Sequence, residues 1–371
     1  MRILHVYKDY FPVLGGIENH IRALAEAQVR RGHTVTVLAA SPDGRSHTTV
    51  RDGVRVVFAP RLATAASMPL SPGFLSALRR LPADITHLHA PFPLGEVSQW
   101  LSRRRPYIVT YHADVTRPLQ LLIMRLYGPL FRRILGEAAR VLPTSAAYAA
   151  TSPYLRDIVG RCTVVPLGID PAGFTPAPAP PAGPFTQLFV GLKRHYKGVD
   201  VALRALAQVP GVRLRLAGEG PLRREWEALA GALNLGDRVE FLGRVPEADL
   251  PVLYRSAHAF VLPATSRAEA FGTVLLEAMA SGLPCLTTEV GSGTSFVVQH
   301  EQTGLVVPAR DPSALAAAIG RLAQAPEGLR RMGTAGHARV LREFTLPVMV
   351  NRVEAVYAAA RSSTRAGGAA G

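Results

Sequence analysis

The sequence predicts an α/β protein of two doubly wound domains, each a parallel sheet with helices on both faces. Three observations carry that expectation. Short β-branched runs alternate with helical patterns along the chain, the spacing of parallel βαβ units. The alternation is interrupted once, by a Pro-, Ala- and Gly-rich stretch between Asp170 and Pro184, and then restarts. At 371 residues the chain suits two domains of ordinary size better than one.

In the first half, residues 3–7, 34–39, 54–58, 85–89, 107–111, 141–144 and 163–166 read as strands, with helical patterns over 17–31 and 119–138. Arg31-Gly32-His33 ends a helix on glycine and feeds the next strand. Residues 171–184 hold too much proline for a strand or helix interior and read as a stiff, extended linker. Beyond it, strands are expected at 188–191, 213–217, 239–242, 259–263, 284–287 and 305–307, and helices at 199–208, 222–233, 248–254, 273–280 and 313–323. The domains are thus 1–170 and 185–346, with a helix over 347–361 that can pack back on the first and a disordered tail over 362–371. Two such sheets are expected to face each other across a cleft, because ligands of doubly wound sheets bind outside the carboxyl ends of the strands.

Composition narrows the function. Apolar residues make up 48% of the chain and charged ones 19%, enough to fill two cores. No apolar run approaches the ~18 residues of a membrane span, and the apolar stretch after Met1 is too short for a signal peptide. Cys162 and Cys285 lie far apart without metal or CxxC spacing, so they read as small core residues of a reduced cytoplasm. The net charge of +15 is concentrated in residues 1–185, with 21 Lys/Arg against 11 Asp/Glu. It comes as scattered pairs and one triplet, without a nucleic-acid signature, so no nucleic acid is expected as partner.

Three stretches carry chemistry. Gly15-Gly16-Ile17-Glu18 follows the first strand and opens a helix. A glycine pair there lets backbone N–H groups meet an anion at the positive end of the helix, although an ordinary tight turn would use the same residues. It is not GxGxxG, and the second strand ends Val37-Leu38-Ala39-Ala40 without an acidic residue, which disfavours a nicotinamide dehydrogenase.

Lysine usage is sharper. Of 42 basic residues only Lys8, Lys193 and Lys197 are lysine, and two of them fall between Gly191 and Gly198, just after the first strand of the second domain. A compact ammonium suits a phosphate oxygen in a crowded crevice; a solvated loop is the alternative.

The densest stretch runs from Ser266 to Pro284. Glu269 lies on the loop after strand 259–263, and Glu277 sits on a helix otherwise built of Val274, Leu275, Leu276, Ala278 and Met279. A carboxylate on so apolar a helix needs a partner. Ribose and sugar hydroxyls would serve; so would an internal salt bridge for Glu277 or the helix dipole for Glu269. His112, at the end of strand 107–111, is of a kind more often structural than catalytic.

Glu-x7-Glu in this setting resembles the retaining GT-B glycosyltransferases of glycosyltransferase family 4, also called group 1, and in particular mannosyltransferase-like members of surface-polysaccharide assembly. The resemblance extends over nearly the whole chain: YFPVLGGIENHIRALAEAQVRRGHTVTV, VTYHADV, LPTSAAY, VVPLGID, LAGEGPLR, VEFLGRV, GLPCLTTEVGSGTSFVVQHEQTGLVVP and DPSALAAAI match family landmarks in order. It implies a GT-B fold of two Rossmann-like domains, acceptor-binding first and donor-binding second.

It also implies roles. Glu269 would hold donor-sugar hydroxyls, helped by backbone N–H groups of Ala270, Phe271 and Gly272, and Glu277 the ribose. Lys197 would neutralise the leaving diphosphate, with Gly15 and Gly16 cradling it. Val245 would face the base through its backbone, and His112 would lie near the anomeric carbon. The family commonly has an arginine directly after the glycine that ends the strand; this chain has Leu192 there, which leaves Arg194 as a second cation or Lys197 alone.

No DxD motif occurs, which argues against a metal-bridged diphosphate; neither metal nor other cofactor is expected. The resemblance implies retention at the anomeric carbon, with a GDP-sugar such as GDP-mannose as donor and a glycan or lipid-linked acceptor. A soluble small-molecule acceptor, a nucleotide-sugar 2-epimerase and a non-catalytic sugar-nucleotide-binding protein are the alternatives. A glycoside hydrolase would need two carboxylates flanking the scissile bond, whereas Glu269 and Glu277 lie along one helix start. The apolar, basic stretch 118–136 reads equally as a buried helix with a solvated edge or as a face for an anionic membrane. The expected location is the cytoplasm, with peripheral attachment to the inner face of the plasma membrane.

Overall fold

The computed structural model describes residues 1–13, 15–65, 68–115, 118–191 and 194–368, apart from the side chains of 118–120 and 363–368. The chain divides into two compact units, Met1–Leu167 with Leu346–Gly371, and Gly168–Thr345. The second is therefore an insertion within the first.

Unit 1 runs β1 (Arg2–Val6), α1 (Gly16–Arg30), β2 (Thr34–Ala40), β3 (His47–Arg51), β4 (Val54–Ala59), β5 (Ala63–Ala65), β6 (Met68–Leu70), α2 (Phe74–Arg80), β7 (Ile85–Ala90), α3 (Pro93–Ser102), β8 (Tyr107–Tyr111), α4 (Pro118–Glu137), β9 (Arg140–Pro143) and α5 (Ala146–Thr151). Its seven-stranded sheet has the order β3-β4-β2-β1-β7-β8-β9. Every pair is parallel except β3 with β4. Beyond Arg2 and Thr34 at their starts, β1, β2 and β8 are buried on both faces, as a sheet covered on both sides requires.

Unit 2 runs β10 (Thr186–Val190), α6 (Val199–Ala207), β11 (Arg213–Ala217), α7 (Arg223–Ala232), β12 (Val239–Gly243), α8 (Leu250–Arg255), β13 (Ala259–Leu262), α9 (Thr273–Ala280), β14 (Cys285–Glu289), α10 (Thr294–Val297), β15 (Gly304–Pro308), α11 (Pro312–Gln324) and α12 (Pro326–Glu343). Its six-stranded parallel sheet has the order β12-β11-β10-β13-β14-β15. The final helix α13 (Leu346–Gly368) belongs to unit 1. There Gln28 of α1 donates to the Tyr357 hydroxyl at 3.3 Å and Arg31 pairs with Glu354 at 2.9 Å. The chain enters and leaves unit 2 side by side, with Ile169 N–H donating to the Phe344 carbonyl at 2.9 Å.

Both sheets reverse their winding at one point, between β1 and β7 and between β10 and β13. The crevice at such a point is where doubly wound sheets bind ligands. The loops after β1, β10 and β13 hold Gly15, Arg194, Lys197 and Glu269 among the residues that the sequence singled out.

Two local expectations are corrected, and one edge strand was not foreseen. Residues 163–166 form no strand: Thr163 and Val165 donate to the Val141 and Pro143 carbonyls at 2.9 and 3.0 Å, but Pro143 has no N–H to return to the Thr163 carbonyl, so pairing stops at the bridge of Cys162 to Val141. The edge strand β3 had no apolar run to announce it, because its side chains are largely exposed. The backbone stays helical to Gly368, where a disordered tail was expected from 362; the alanine-rich run at 358–360 favours continuation. Residues 369–371 lie outside the described residues. No described helix is long and apolar enough to cross a membrane.

Candidate active site

In unit 2 the loop after β10 is drawn onto the loop after β13. Thr265 N–H donates to the Tyr196 carbonyl at 2.9 Å, and the Thr265 hydroxyl to the His195 carbonyl at 3.3 Å. Gly198 closes the first loop at φ +70°, and any Cβ there would collide with the Pro263 carbonyl. Only glycine permits that approach.

The approach brings Lys197 onto Glu269 as an ion pair, with side-chain exposures of 11% and 9%. Burial, the largest influence on Lys197, works against its charged form. The Glu269 carboxylate, Tyr196 and Glu277 together outweigh it and hold the amine above its ordinary value.

Glu269 is fixed from behind, its carbonyl accepting the Ser292 hydroxyl at 2.6 Å, while Gly293 N–H donates to the Ala270 carbonyl at 2.7 Å. Phe271 is buried, and Gly272 caps α9 at φ +79°. One turn into α9, Glu277 accepts the Tyr254 hydroxyl at 2.7 Å. Burial raises its carboxyl to about 7; the Tyr254 bond and Lys197 pull it down, and Glu247 pushes it up. Lys197, Glu269 and Glu277 therefore share one electrostatic neighbourhood. Tyr254 is in turn packed by Phe174 of the Pro-rich segment, with ring centroids 5.7 Å apart.

Other candidates stand further out. Arg194 is exposed, and its carbonyl accepts the Lys197 N–H at 3.0 Å, which shapes the turn that carries the lysine. Val245 is half-buried just beyond β12. Leu192 and Lys193 lie outside the described residues.

In unit 1, Gly15 caps α1 and Gly16 opens it. The Glu18 carboxyl folds back against Gly15 and bonds its own backbone N–H, where an anion was expected. Burial, partly offset by that bond and Lys8, raises its carboxyl.

His112 is buried and held by its backbone N–H donating to the Ala90 carbonyl at 2.9 Å. It is not alone. Its Nε2 meets His89 Nδ1 at 3.0 Å, His89 Nε2 meets His5 Nδ1 at 3.0 Å, and His5 Nε2 meets Gln28 Oε1 at 2.8 Å. His87 meets the Tyr357 hydroxyl through Nδ1 at 2.7 Å and the Thr110 hydroxyl through Nε2 at 2.6 Å. Burial lowers all of these imidazoles, His5 to about 4. His20 stands edge-on to His112 at 5.1 Å, its ring nitrogens without a hydrogen-bond partner among the described residues.

Two triplets, His5–His87–His89 and His20–His89–His112, hold nitrogens close enough for a metal ion. Both ring nitrogens of His5, His87 and His89 already make hydrogen bonds, so an ion would have to break them.

The helix α4 presents a third feature. Met124, Phe131, Ile134 and Leu135 are buried, whereas Leu121, Leu122 and Leu126 are exposed, Leu126 at 89%. Arg125, Arg132 and Arg133 are exposed as well.

Residues 175–339 match the model for glycosyl transferases group 1, and residues 14–172 that for Glycosyltransferase Family 4. A D-rhamnosyltransferase of Pseudomonas aeruginosa is 37% identical, over 93% of this chain and 92% of its own. The chain belongs to glycosyltransferase family 4.

This glycosyltransferase is also 32% identical to an O-antigen chain mannosyltransferase of Escherichia coli, over 96% of this chain and 98% of that one. Its fold is that of a sucrose-phosphate synthase from Thermosynechococcus elongatus, with a TM-score of 0.83, 27% identity, and 98% and 99% of the two chains covered. It is the GT-B fold of two Rossmann-like domains. The glycosyltransferase uses a nucleotide-sugar donor, as its family does. Sequence reading missed the partners of its candidate residues: Tyr254 behind Glu277, and the imidazoles behind His112. The His87-Leu-His89 alternation on one strand was the available signal, since it puts both imidazoles on the same face.

Proposed function

We propose that this glycosyltransferase moves mannose or a closely similar hexose such as D-rhamnose from a GDP-sugar to a glycan or lipid-linked acceptor of surface-polysaccharide assembly, without a metal ion. The observation that carries the site assignment is the buried Lys197–Glu269 pair with Glu277 in its field. One cation and two carboxylates beside the carboxyl ends of β10 and β13 suit the three parts of such a donor. Lys197 takes the diphosphate, Glu269 the sugar hydroxyls with the backbone N–H groups of Ala270, Phe271 and Gly272, and Glu277 the ribose hydroxyls. Val245 lends its backbone to the base, and Arg194 is a second cation for the diphosphate. Gly15 and Gly16 contribute backbone N–H groups to an anion, which then replaces the Glu18 carboxyl.

A diphosphate is already a good leaving group, so the rate gain comes from stabilising its growing charge as the anomeric C–O bond breaks. The acceptor hydroxyl oxygen forms the new bond, and its proton passes to the departing phosphate. His112 lies beside the anomeric carbon in this reading, and the family likeness supports retention there. The polysaccharide role is supported by the rhamnosyl- and mannosyltransferase relatives.

The exposed leucines and arginines of α4 support docking on an anionic membrane, apolar groups at the headgroup boundary and arginines on lipid phosphates. A panel of GDP-, UDP- and ADP-sugars tests the donor: the one bound by the folded chain raises its melting temperature. GDP-mannose or GDP-rhamnose should do so most, and a response to UDP- or ADP-sugars alone would refute the assignment.

A further inference from the structure

Five buried imidazoles around one amide are more than packing requires, and their hydrogen bonds run in one direction. Gln28 Oε1 is an acceptor only, so His5 must donate through Nε2. A neutral imidazole has one N–H, which leaves His5 Nδ1 as acceptor and makes His89 donate through Nε2. His89 Nδ1 then accepts from His112 Nε2.

The same amide extends the order the other way. Its Nε2 donates to the Tyr357 oxygen, whose proton goes to His87 Nδ1, and His87 Nε2 donates to Thr110. Burial holds every ring in its neutral form, so a second proton does not erase the order. His20 makes no hydrogen bond to this chain of groups among the described residues.

We infer that Gln28 is a positioning residue for the transfer reaction, setting the tautomer of His112 through His5 and His89 so that His112 offers a bare Nδ1 to a sugar hydroxyl. The contact with sugar rests on the function proposed above; the tautomer does not. What one ring nitrogen binds decides which nitrogen carries the proton, and in a dry interior such a sequence of bonds is mutually reinforcing. Turning the single Gln28 amide by half a turn would reverse every link and place the proton on His112 Nδ1. The Tyr357 hydroxyl couples that turn to His87, because the turned amide would accept from Tyr357 and the Tyr357 oxygen would then accept from His87 Nδ1.

Nitrogen-15 NMR of the histidine rings in the full chain, near neutral pH, reads the tautomers directly. The wild type should show His5, His89 and His112 neutral and protonated on Nε2. Gln28→Met should give a mixture at His112 and lower kcat on the order of tenfold with the donor KM nearly unchanged, the worth of one hydrogen bond in the transition state. Gln28→Glu, which keeps an acceptor oxygen for His5, should restore both the tautomer and most of the rate. If Gln28→Met fails to fold, Tyr357→Phe frees the amide to turn and should produce part of the same mixture. A proton on Nδ1 of wild-type His112, or an unchanged tautomer in Gln28→Met, overturns the relay whether or not His112 touches the sugar. Full activity in His112→Ala with the expected tautomer would instead overturn the contact with sugar and leave the proton order standing.

Discussion

Replacing Glu269 by glutamine should loosen the fold and tighten nucleoside-diphosphate binding at once. The carboxylate and the Lys197 ammonium are a pair with side-chain exposures of 9% and 11%, so water screens them little. Removing one partner of such a pair costs about 3–5 kcal/mol. Glu277 also acts on Lys197, which places the expected loss near the lower figure. At roughly 2–4 °C per kcal/mol for a unit of this size, the melting temperature should fall by about 6–12 °C.

Nucleoside diphosphate then meets an unengaged ammonium and one carboxylate fewer. At about 5 Å and an effective dielectric near 20, each like-charge repulsion removed is worth on the order of 3 kcal/mol. Affinity should therefore rise at least several-fold, and saturating diphosphate should restore more of the melting temperature in Glu269→Gln than in the wild type. Transfer itself should be lost with the sugar contact. Calorimetric titration with GDP and scanning calorimetry with and without it are the assays. The Lys197→Met, Glu269→Gln double variant should regain most of the lost stability, since neither buried charge remains. A drop in GDP affinity in Glu269→Gln, or a melting temperature within a degree or so of wild type, would refute the reasoning.

Stability should depend on Glu277 in a defined pH window. Its folded carboxyl sits at about 7, above the ordinary 4.5, so the folded chain binds the proton more tightly than the unfolded one. The contribution is complete below about 4.5 and is lost as pH rises to about 7, amounting to some 3 kcal/mol; Glu277→Gln should flatten that decline and raise the melting temperature at pH 8. Glu277→Ala should weaken donor binding by roughly 1–3 kcal/mol, read by titration with the nucleotide-sugar. Lys197→Ala should lower kcat far more than it raises KM, and activity should survive EDTA; strict dependence on a divalent ion would oppose the mechanism. Vesicle sedimentation should show binding that rises with anionic lipid, falls with salt and drops in the Arg132→Gln, Arg133→Gln variant; indifference to anionic vesicles at low salt would favour a soluble acceptor.

The strands were legible wherever burial on both faces demanded apolar or β-branched runs, as in β2 and β13. They were not legible where it did not: β3 carries exposed, polar residues, and α12 buries Met332, Gly333, Gly336, Arg339 and Val340 beneath a polar pattern rich in arginine and glycine. Lys197 and Glu269 could each be picked out from their loops, but their pairing depends on the Gly198–Pro263 approach, a tertiary event that no local spacing encodes. The relay behind His112 is assembled from β1, α1, β7, the end of β8 and, through Tyr357, α13. Residues so distant in the chain meet only through strand order. Gln28 in particular reads as one more polar residue on an amphipathic helix until the sheet places His5 beside it.

The side-by-side crossing at Ile169 and Phe344 has an engineering consequence. Unit 2 enters and leaves through neighbouring strands of chain, like a module plugged into a two-pin socket, and closely placed termini are what let a domain be cut out or inserted without reshaping its host. A single cassette of residues 168–345 thus carries Lys197, Glu269, Glu277, Tyr254 and Val245 together. The histidine relay and the basic helix α4 stay behind in the host unit, whose ends remain joined through α13 packed on α1. On the site assignment proposed above, donor preference and acceptor preference are then separately exchangeable, by recombination in nature or by chimeras at the bench.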